Sequence, residues 1–221
     1  MDNLSVLIRC RNEERWIGHS IQSVIDTFEN PEIVVVDNGS TDNSKDVVQM
    51  FKKGKFSGKG SYADIKTYDI DGYTPGKSLN FGIEKCSKKI ILILSAHSVI
   101  QKCNLIKIKD KLNKYCVVGA KQIPIYKGKK ISRRYVWANF MDDDYENHFS
   151  KGENRYFLHN AFCFYEKNVL KKYPFDELLH AKEDRYWVND MIEKGFSSYY
   201  DSETICHHHY TNNCATWKGI G

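Results

Sequence analysis

Short apolar runs and segments of helical periodicity alternate through the first hundred residues of the chain. Residues 4–8, 33–36 and 90–94 are almost entirely aliphatic, a composition typical of strands that are buried on both faces of a sheet. Between the first two runs, residues 13–28 place apolar side chains at the spacing of an amphipathic helix. This order of strand, helix and strand predicts a βαβ unit with parallel strands.

The pattern continues to alternate and then weakens across residues 121–160, which are rich in Lys, Arg, Tyr and Asn. We predict helices over residues 40–51, 77–86 and 182–194, strands over 65–70, 117–120, 161–165, 197–200 and 204–209, and a loop over 52–62. Alternating strands and helices favour an α/β fold, with an open parallel sheet in the first half of the chain.

Polar side chains follow three of these strands at the point where each strand ends. They occupy residues 9–13 (Arg-Cys-Arg-Asn-Glu), 37–42 (Asp-Asn-Gly-Ser-Thr-Asp) and 95–97 (Ser-Ala-His). Because the carboxyl ends of parallel strands share one edge of the sheet, ligands bind there in open α/β folds. Ordinary helix capping explains Ser40 and Thr41 but does not explain the charged cluster after the first strand. We therefore expect a ligand pocket at this edge.

The charge distribution argues against a nucleic-acid partner. Lys and Arg number 33 against 28 Asp and Glu, which gives a formal net charge of +5. The lysines are scattered, whereas nucleic-acid binding favours a basic stripe with interleaved aromatic residues. A weaker attraction to anionic lipid or glycan stays open.

Cysteine usage and apolar run lengths indicate a cytoplasmic setting. The seven cysteines form an odd set without a Cys-x-x-Cys pair, and several lie inside apolar segments. This favours reduced thiols over a disulfide framework. The chain begins without a signal-peptide pattern, and no apolar stretch approaches the roughly 18 residues that a membrane span needs. We expect at most peripheral contact, at the inner face of a membrane.

Four segments of the sequence, in chain order, resemble those of a known family. "SVLIRCRNEERWIGHSIQSVID", "EIVVVDNGSTDNS", "YTPGKSLNFGIEKC" and "AKEDRYW" resemble the family 2 glycosyltransferases, which have the GT-A fold. The resemblance covers most of the chain. It implies a single domain over residues 1–221, with a Rossmann-like nucleotide-sugar-binding half (1–100), a half for the acceptor and the catalytic base (101–221), and a mixed central sheet flanked by helices.

The resemblance also implies a set of donor-binding residues. The carboxylate matching Asp37 accepts hydrogen bonds from the nucleotide base, and Asp42 either holds its loop or touches the ligand. Arg9 and Arg11 replace the proline and the aromatic residue usual in the family, which leaves base selectivity open because arginine can stack on a base or bind phosphate. The expected set is Arg9, Arg11, Asn12, Glu13, Asp37, Asn38, Asp42, Gly76, Lys77, Asn80, Ser95 and His97.

The Glu183-Asp184 pair supplies the expected catalytic carboxylates. Inverting transfer needs a base that takes the proton of the acceptor hydroxyl. By resemblance Asp184 is this base, and Glu183 is its neighbour at the rim of the site. Acidic residues in the first turn of a helix are also common for electrostatic reasons alone, so a purely structural role for the pair is the alternative.

The metal site is where this sequence departs from the family. Relatives carry an Asp-x-Asp element after the fourth strand, whereas this chain has Ser95-Ala96-His97. Mg²⁺ prefers oxygen ligands, and an imidazole suits Mn²⁺ or Zn²⁺ better. On a strand His207 and His209 would point the same way. We therefore expect His97, His207 and His209 to bind a divalent cation, or to donate directly to the diphosphate.

Other interpretations of the histidine run stay open. Satisfied polar residues in a tight turn are one, and a zinc site that combines Cys206, the histidines and Cys214 is another. Because the Asp-x-Asp element is absent, dependence on Mn²⁺ or Mg²⁺ does not follow from the sequence.

Residues 121–160 occupy the position of the acceptor surface in the family. Its candidates are Lys121, Gln122, Arg133, Arg134, Tyr135 and Trp137. We expect the acidic triplet at residues 142–144 to be a solvated loop, and the acceptor to be a glycan or a lipid-linked glycan in bacterial capsule or lipopolysaccharide synthesis. A sugar nucleotidyltransferase and a catalytically silent sugar-nucleotide-binding protein are the alternatives.

Overall fold

A mixed sheet forms the centre of the molecule. The computed structural model describes residues 3–52, 63–132, 135–212 and 214–217. The predicted loop, from residue 53 onward, and the candidate acceptor residues Arg133 and Arg134 lie outside the described residues.

The strands and helices have the following bounds. The strands are β1 (Leu4–Cys10), β2 (Glu32–Asp37), β3 (Asp64–Asp69), β4 (Ile90–Ser95), β5 (Ser98–Lys102), β6 (Val117–Tyr126), β7 (Lys129–Lys130), β8 (Tyr145–Glu146), β9 (Phe149–Ser150), β10 (Arg155–Tyr156), β11 (Phe162–Glu166) and β12 (Ser198–His209). The helices are α1 (Ile17–Thr27), α2 (Ser44–Lys52), α3 (Pro75–Lys85), α4 (Leu105–Leu112), α5 (Lys167–Lys172) and α6 (Glu183–Glu193), with 3₁₀ turns at Tyr135–Asn139 and Ala215–Trp217.

The strand order of the sheet is β3-β2-β1-β4-β11-β6-β12-β5. The first four strands in this order are parallel, as the sequence pattern predicts. β1 lies between β2 and β4, and β3 pairs with β2 at the edge. Beyond β4 the sheet becomes mixed, because β11 pairs antiparallel with both β4 and β6. The parallel strands therefore end together at the edge that carries the polar segments.

Helices cover both faces of this sheet, which explains the continuous aliphatic runs in its strands. On one face α1 and α4 pack against alternate residues of β1 and β4. On the other face α3, α5 and α6 pack against the intervening residues. Gly82 permits the close approach of α3, since a Cβ there would lie 2.3 Å from Leu7 Cδ1.

Several elements differ from the predicted ones. The two predicted closing strands are one strand, β12, which has a bulge between Asp201 and Ile205. α2 begins at Ser44, because the Asp42 carboxylate accepts the Ser44 amide hydrogen bond. β5, α4 and α5 were not predicted, since five to eight residues give too little periodicity to separate a strand or helix from a loop.

The weakly periodic middle of the chain closes over one end of the sheet. Its aromatic side chains Trp137, Phe140 and Phe157 form a separate buried cluster with Tyr200 and Trp217. None of the helices within the described segments is long and apolar enough to cross a membrane.

Candidate active site

A cavity of about 530 Å³ opens where β1 and β4 end and α6 begins. Side chains from distant parts of the chain converge on its wall. Of the predicted donor and catalytic residues, those that line it are Arg9, Arg11, Glu13, Asn38, Ser95, His97, Glu183 and Asp184, and of the acceptor candidates Tyr135 lines it too. The location confirms that the carboxyl edge of the parallel strands carries a pocket.

Arg9 connects the end of β1 to the start of α6. Its Nη2 donates to Glu183 Oε1 at 3.3 Å, and its Nη1 donates to the Pro75 carbonyl at 3.2 Å. Burial raises the pKa of Glu183, Arg9 lowers it and Asp184 raises it, so that the net shift is upward. A carboxyl group with a raised pKa beside a cavity is a feature of acid–base sites.

Asp184 is buried and held from several directions. Its Oδ2 accepts from the Asn160 amide at 2.9 Å, and its Oδ1 accepts from the Arg185 amide at 2.8 Å. Arg185 Nη1 lies 3.0 Å from both oxygens. The carboxylate therefore has a fixed orientation at the first turn of α6, where the helix dipole also favours negative charge.

The histidine after β4 contacts a different histidine from the expected ones. His97 Nε2 lies 3.0 Å from His208 Nε2, and the Cys214 thiol completes a cluster whose ligand atoms lie within 4.8 Å of one another. The expected set of His97, His207 and His209 is thus corrected. β12 pairs His208 with Ser98, next to His97, and the pleat turns His207 and His209 to the opposite face.

His207 and His209 have other environments. His209 stacks on Trp16 with ring centroids 4.0 Å apart, and His207 is half-buried. Cys206 is fully buried in the core that includes α1, so the described geometry does not place it in the histidine cluster.

The three groups of the cluster have strongly shifted pKa values. Burial would lower the pKa of His97, but the Cys214 thiolate and the Glu13 carboxylate raise it to about 10. Burial would raise the pKa of Cys214, but His97 and His208 lower it to about 4. Burial is also the main reason why the pKa of His208 falls to about 3.

Asp37 lies at a second, smaller cavity. Its Oδ1 accepts from the amides of Gly39 and Ser40 at 3.0 and 2.8 Å and lies 3.5 Å from Lys45 Nζ. The cavity has a volume of about 220 Å³ and shares Cys10 with the larger one. One oxygen of Asp37 therefore organises the turn after β2, and Asp37 lines the smaller cavity and not the larger one.

The loops after β1 and β2 are tied to each other, as expected from neighbouring strand ends. Asn12, at a positive φ of 55°, accepts the Thr41 amide hydrogen bond at 2.7 Å. Asp42 accepts from the amides of Glu14 and Ser44, both at 3.0 Å. Of the two expected roles of Asp42, the described contacts are those of the residue that holds the loop.

The three predicted donor residues on α3 make contacts within the protein in this structure. Asn80 exchanges hydrogen bonds with the Phe175 backbone, donating at 2.9 Å and accepting at 3.0 Å. Gly76 lies so close to the Asp176 carbonyl that a Cβ would be 2.2 Å from its oxygen. Lys77 Nζ donates to the Asp71 carbonyl at 2.9 Å. None of the three lines the larger cavity.

Sequence reasoning missed several residues of the cavity wall. They are Tyr73, Pro75, Glu153, His159, Asn160, His180, Arg185 and Thr216, whereas Cys214 had been considered only in the alternative zinc site. Arg185 follows the Glu-Asp pair directly and could have been noticed as its cation. Cys214 and Thr216 come from an irregular segment, for which the sequence has no periodic signal.

The acidic triplet is exposed, as predicted, but Asp144 also makes specific contacts. Asp144 Oδ1 accepts from the Ser202 amide at 2.8 Å, and its Oδ2 accepts from Lys107 Nζ at 3.1 Å and Tyr199 Oη at 2.8 Å. The hydrogen bonds of Asp144 therefore attach this segment to β12, and Asp142 and Asp143 lie at its periphery.

The residues after β4 do not fit a hard cation. The described cluster near the cavity consists of two imidazoles and a thiol, whereas Mg²⁺ takes oxygen ligands. Glu13 contributes a carboxylate, but its Oε1 is already 3.1 Å from His97 Nδ1. The donor set therefore favours a softer ion than Mg²⁺.

Comparison with known proteins agrees with the fold. The chain is 26% identical over 207 residues to the minor teichoic acid biosynthesis protein GgaA of Bacillus subtilis, covering 86% of this chain and 43% of GgaA. The structure of S. aureus TarS 1-349 in complex with UDP-GlcNAc superposes with a TM-score of 0.72 at 19% identity, covering 98% of this chain and 61% of that one.

A second solved structure has the same fold. The mannosyltransferase PcManGT from Pyrobaculum calidifontis, in complex with GDP-Man and Mn²⁺, gives a TM-score of 0.72 at 14% identity, covering 96% of this chain and 58% of PcManGT. The chain thus spans less than two thirds of the length of each of these three proteins. The family model "Glycosyl transferase family 2" matches residues 5–174. This chain, with its mixed α/β GT-A fold, therefore belongs to glycosyl transferase family 2.

Proposed function

We propose that this chain is an inverting glycosyltransferase that moves a sugar from a nucleotide-sugar donor to a hydroxyl group of a glycan or lipid-linked glycan. The observation that carries the proposal is the convergence of Arg9, Glu183 and Asp184 on one cavity at the carboxyl edge of the parallel strands. The complexes of TarS with UDP-GlcNAc and of PcManGT with GDP-Man support a nucleotide-sugar donor.

The donor occupies the part of the cavity next to the ends of β1 and β4. Arg9 and Arg11 supply positive charge there for the diphosphate, because guanidinium groups bind phosphate oxygens well. Glu13, Asn38, Ser95 and His97 line the same region. Asn12, Asp37 and Asp42 contribute by shaping the two loops, and Gly76, Lys77 and Asn80 contribute through the position of α3.

Asp184 acts as the general base in this proposal. Its oxygens accept four N–H contacts, and an ionised carboxylate offers about four lone-pair positions. An acceptor hydroxyl therefore binds in place of one of the two contacts from Arg185 Nη1. Glu183, which has a raised pKa and whose side chain accepts a hydrogen bond from Arg9, lies at the rim of the same site.

Substitution of the two carboxyl groups tests these roles. We expect Asp184→Asn to lower turnover by about 10²- to 10⁴-fold with nearly unchanged nucleotide affinity, because the amide cannot take the proton. Asp190→Asn is the matched control, since Asp190 is an exposed carboxyl on the same helix, paired with Lys194. Turnover by Asp184→Asn at the wild-type rate would remove Asp184 as the base. If Glu183→Gln abolished turnover instead, the role would move to Glu183.

The Ser95-Ala96-His97 segment favours a second candidate, a catalytically silent sugar-nucleotide-binding protein, because it lacks carboxylates. Pure protein incubated with donor and acceptor separates the candidates by product. Release of nucleoside diphosphate or monophosphate with transfer supports the glycosyltransferase, whereas release of pyrophosphate in a parallel incubation with nucleoside triphosphate and sugar 1-phosphate would indicate a nucleotidyltransferase. Saturable nucleotide binding without any product, with or without chelator, would support the silent protein.

The cellular setting is bacterial surface-polysaccharide synthesis on the cytoplasmic side of the membrane. GgaA, a protein of minor teichoic acid biosynthesis, supports a cell-surface polymer. All seven cysteines are without disulfide bonds, which agrees with a reducing compartment. Capsule and lipopolysaccharide are the polymers to test first as acceptors.

A further inference from the structure

The Nε2 atoms of His97 and His208 face each other, while the Nδ1 atom of each ring contacts an oxygen of another residue. His97 Nδ1 lies 3.1 Å from Glu13 Oε1, and His208 Nδ1 lies 3.0 Å from Gln122 Oε1. The Gln122 amide is oriented by its Nε2, which donates to the His159 carbonyl at 3.0 Å. Since both oxygens are acceptors, each Nδ1 carries a hydrogen, and the two Nε2 atoms are left to share one further proton or a cation.

The two Nε2 atoms are only 3.0 Å apart. Without a metal ion, the raised pKa of His97 keeps a proton on its Nε2 that donates to His208 Nε2, and a bound cation takes the place of this shared proton. A tetrahedral ion with Zn–N bonds of about 2.0–2.1 Å holds its two nitrogens roughly 3.3 Å apart, so only a small adjustment is needed. The rings are therefore preorganised for a shared ion.

Cys214 supplies the third ligand atom. Its sulfur and the two histidine nitrogens all lie within 4.8 Å of one another. His208 and His97 are buried and Cys214 is half-buried, and His97 and Cys214 line the larger cavity. Three protein ligands and one side open to a cavity are the arrangement of zinc sites that keep a coordination position free.

The surroundings of the histidines have the character of an outer coordination sphere. Metal-binding histidines usually donate their other N–H to a carboxylate or an amide carbonyl, which fixes the tautomer. Glu13 and Gln122 do this here and are themselves buried. Glu13 Oε2 is buried without a hydrogen-bond partner among the described residues, so the negative charge of this carboxylate is only partly compensated and favours a cation bound by His97.

We propose that His97, His208 and Cys214 bind a thiophilic divalent cation of the Zn²⁺ class, with one coordination position open to the cavity. Imidazole and thiolate ligands favour such ions over Mg²⁺, which needs oxygen ligands. The site itself does not depend on glycosyl transfer. That an anionic oxygen of the donor's diphosphate takes the open position rests on the proposed function.

Cobalt binding tests the ligand set directly. Reduced protein, stripped with a chelator, is titrated with Co²⁺, which gives a thiolate-to-cobalt charge-transfer band in the near ultraviolet when sulfur is a ligand. We expect one equivalent of Co²⁺ with this band in the wild type and its loss in Cys214→Ser. Cys103→Ser is the matched control and keeps the band. An unchanged band in Cys214→Ser, or no stoichiometric binding of Co²⁺ or Zn²⁺ by the wild type, overturns the proposal.

The histidines are tested by a pair of neighbours on one strand. We expect His208→Ala to lower Zn²⁺ affinity at least about 100-fold, while His207→Ala, on the opposite face of β12, leaves it within about twofold. Gln122→Leu should lower it about 10- to 100-fold, as for other outer-sphere partners. Circular dichroism confirms that each variant is folded. Equal affinities for the two histidine variants would contradict the assignment.

The same experiments separate this inference from the proposed function. Wild-type protein that binds one Zn²⁺ through Cys214 but transfers no sugar would refute only the glycosyltransferase proposal. Protein that transfers sugar but binds Mn²⁺ in preference to Zn²⁺ and Co²⁺ would refute only the thiophilic site.

Discussion

The guanidinium group of Arg9 donates a hydrogen bond to the Glu183 carboxylate across 174 residues of sequence, at 3.3 Å. This contact joins the end of β1, on the proposed donor side of the cavity, to the first turn of α6, which carries the proposed catalytic carboxylates. Because Arg9 lowers the pKa of Glu183 while burial and Asp184 raise it, the ion pair adjusts the acidity of the site as well as its shape.

Removal of Arg9 should move the pH dependence of transfer. Arg9→Met removes the largest influence that lowers the Glu183 pKa and leaves burial and Asp184, which raise it, so the carboxylate forms only at higher pH. If ionised Glu183 is needed, we expect the acidic limb of the pH profile of kcat/KM to shift upward, with a larger loss of activity at pH 6 than at pH 8. Arg11→Met, which removes a second arginine of the cavity wall, is the control and should keep the wild-type limb. An unshifted limb in Arg9→Met would exclude this role.

Gly76 should matter through packing. A Cβ at this position would lie 2.2 Å from the Asp176 carbonyl oxygen, so Gly76→Ala must push α3 away from the segment that precedes α6. We expect the free energy of unfolding to fall by about 1–3 kcal/mol, as for other overpacked sites. Gly152→Ala places its Cβ in open space and should change stability by less than about 0.5 kcal/mol. Urea unfolding of both variants measures the difference, and equal stabilities would refute the packing role.

Glu32 should make stability depend on acid pH. Burial would raise the pKa of this carboxyl group, but hydrogen bonds from Lys66, Ser5 and Ser87 lower it from 4.5 to about 2. Since the folded pKa is the lower one, the unfolded chain takes up the proton first as the pH falls. The stabilisation of about 2–3 kcal/mol is complete above pH 4.5 and is lost as the pH falls through 2.

Substitution isolates this contribution. We expect Glu32→Gln to be less stable than the wild type in urea at pH 7, with a difference that shrinks as the pH is lowered from 4.5 toward 3. Glu84→Gln, at an exposed position on α3, is the control and should show a small difference at every pH. A Glu32→Gln deficit that did not change with pH would argue against the ionised carboxylate as the stabilising species.

Local patterns were sufficient for most of the sheet and for the position of the site. Aliphatic runs predicted β1, β2 and β4, because a strand buried on both faces needs apolar side chains on each. The polar residues that follow them had to share an edge once the strands were parallel. The start of α6 at Glu183 was also foreseeable, since acidic residues favour the first turn of a helix.

Close contacts between distant segments were not predictable in this way. Gly76 and Asn80 were expected to approach the donor, yet both pack against residues 175–177, about a hundred positions away in the chain. A glycine or an asparagine has the same appearance in a sequence whether it meets a ligand or a neighbouring backbone. Only the docking of α3 on this segment distinguishes the two.

The three consecutive histidines show most clearly the difference between what a local sequence pattern predicts and what depends on the fold. The sequence determined that His207 and His209 share one face of a strand and that His208 has the other, because side chains alternate along β structure. It did not determine which face looks toward His97. The pairing of β12 with β5 and β6, including the bulge between Asp201 and Ile205, decided that His208 is buried against His97, and the irregular segment after β12 brought Cys214 to them. Strand register and chain reversal depend on contacts along the whole sheet, so they are properties of the tertiary structure alone.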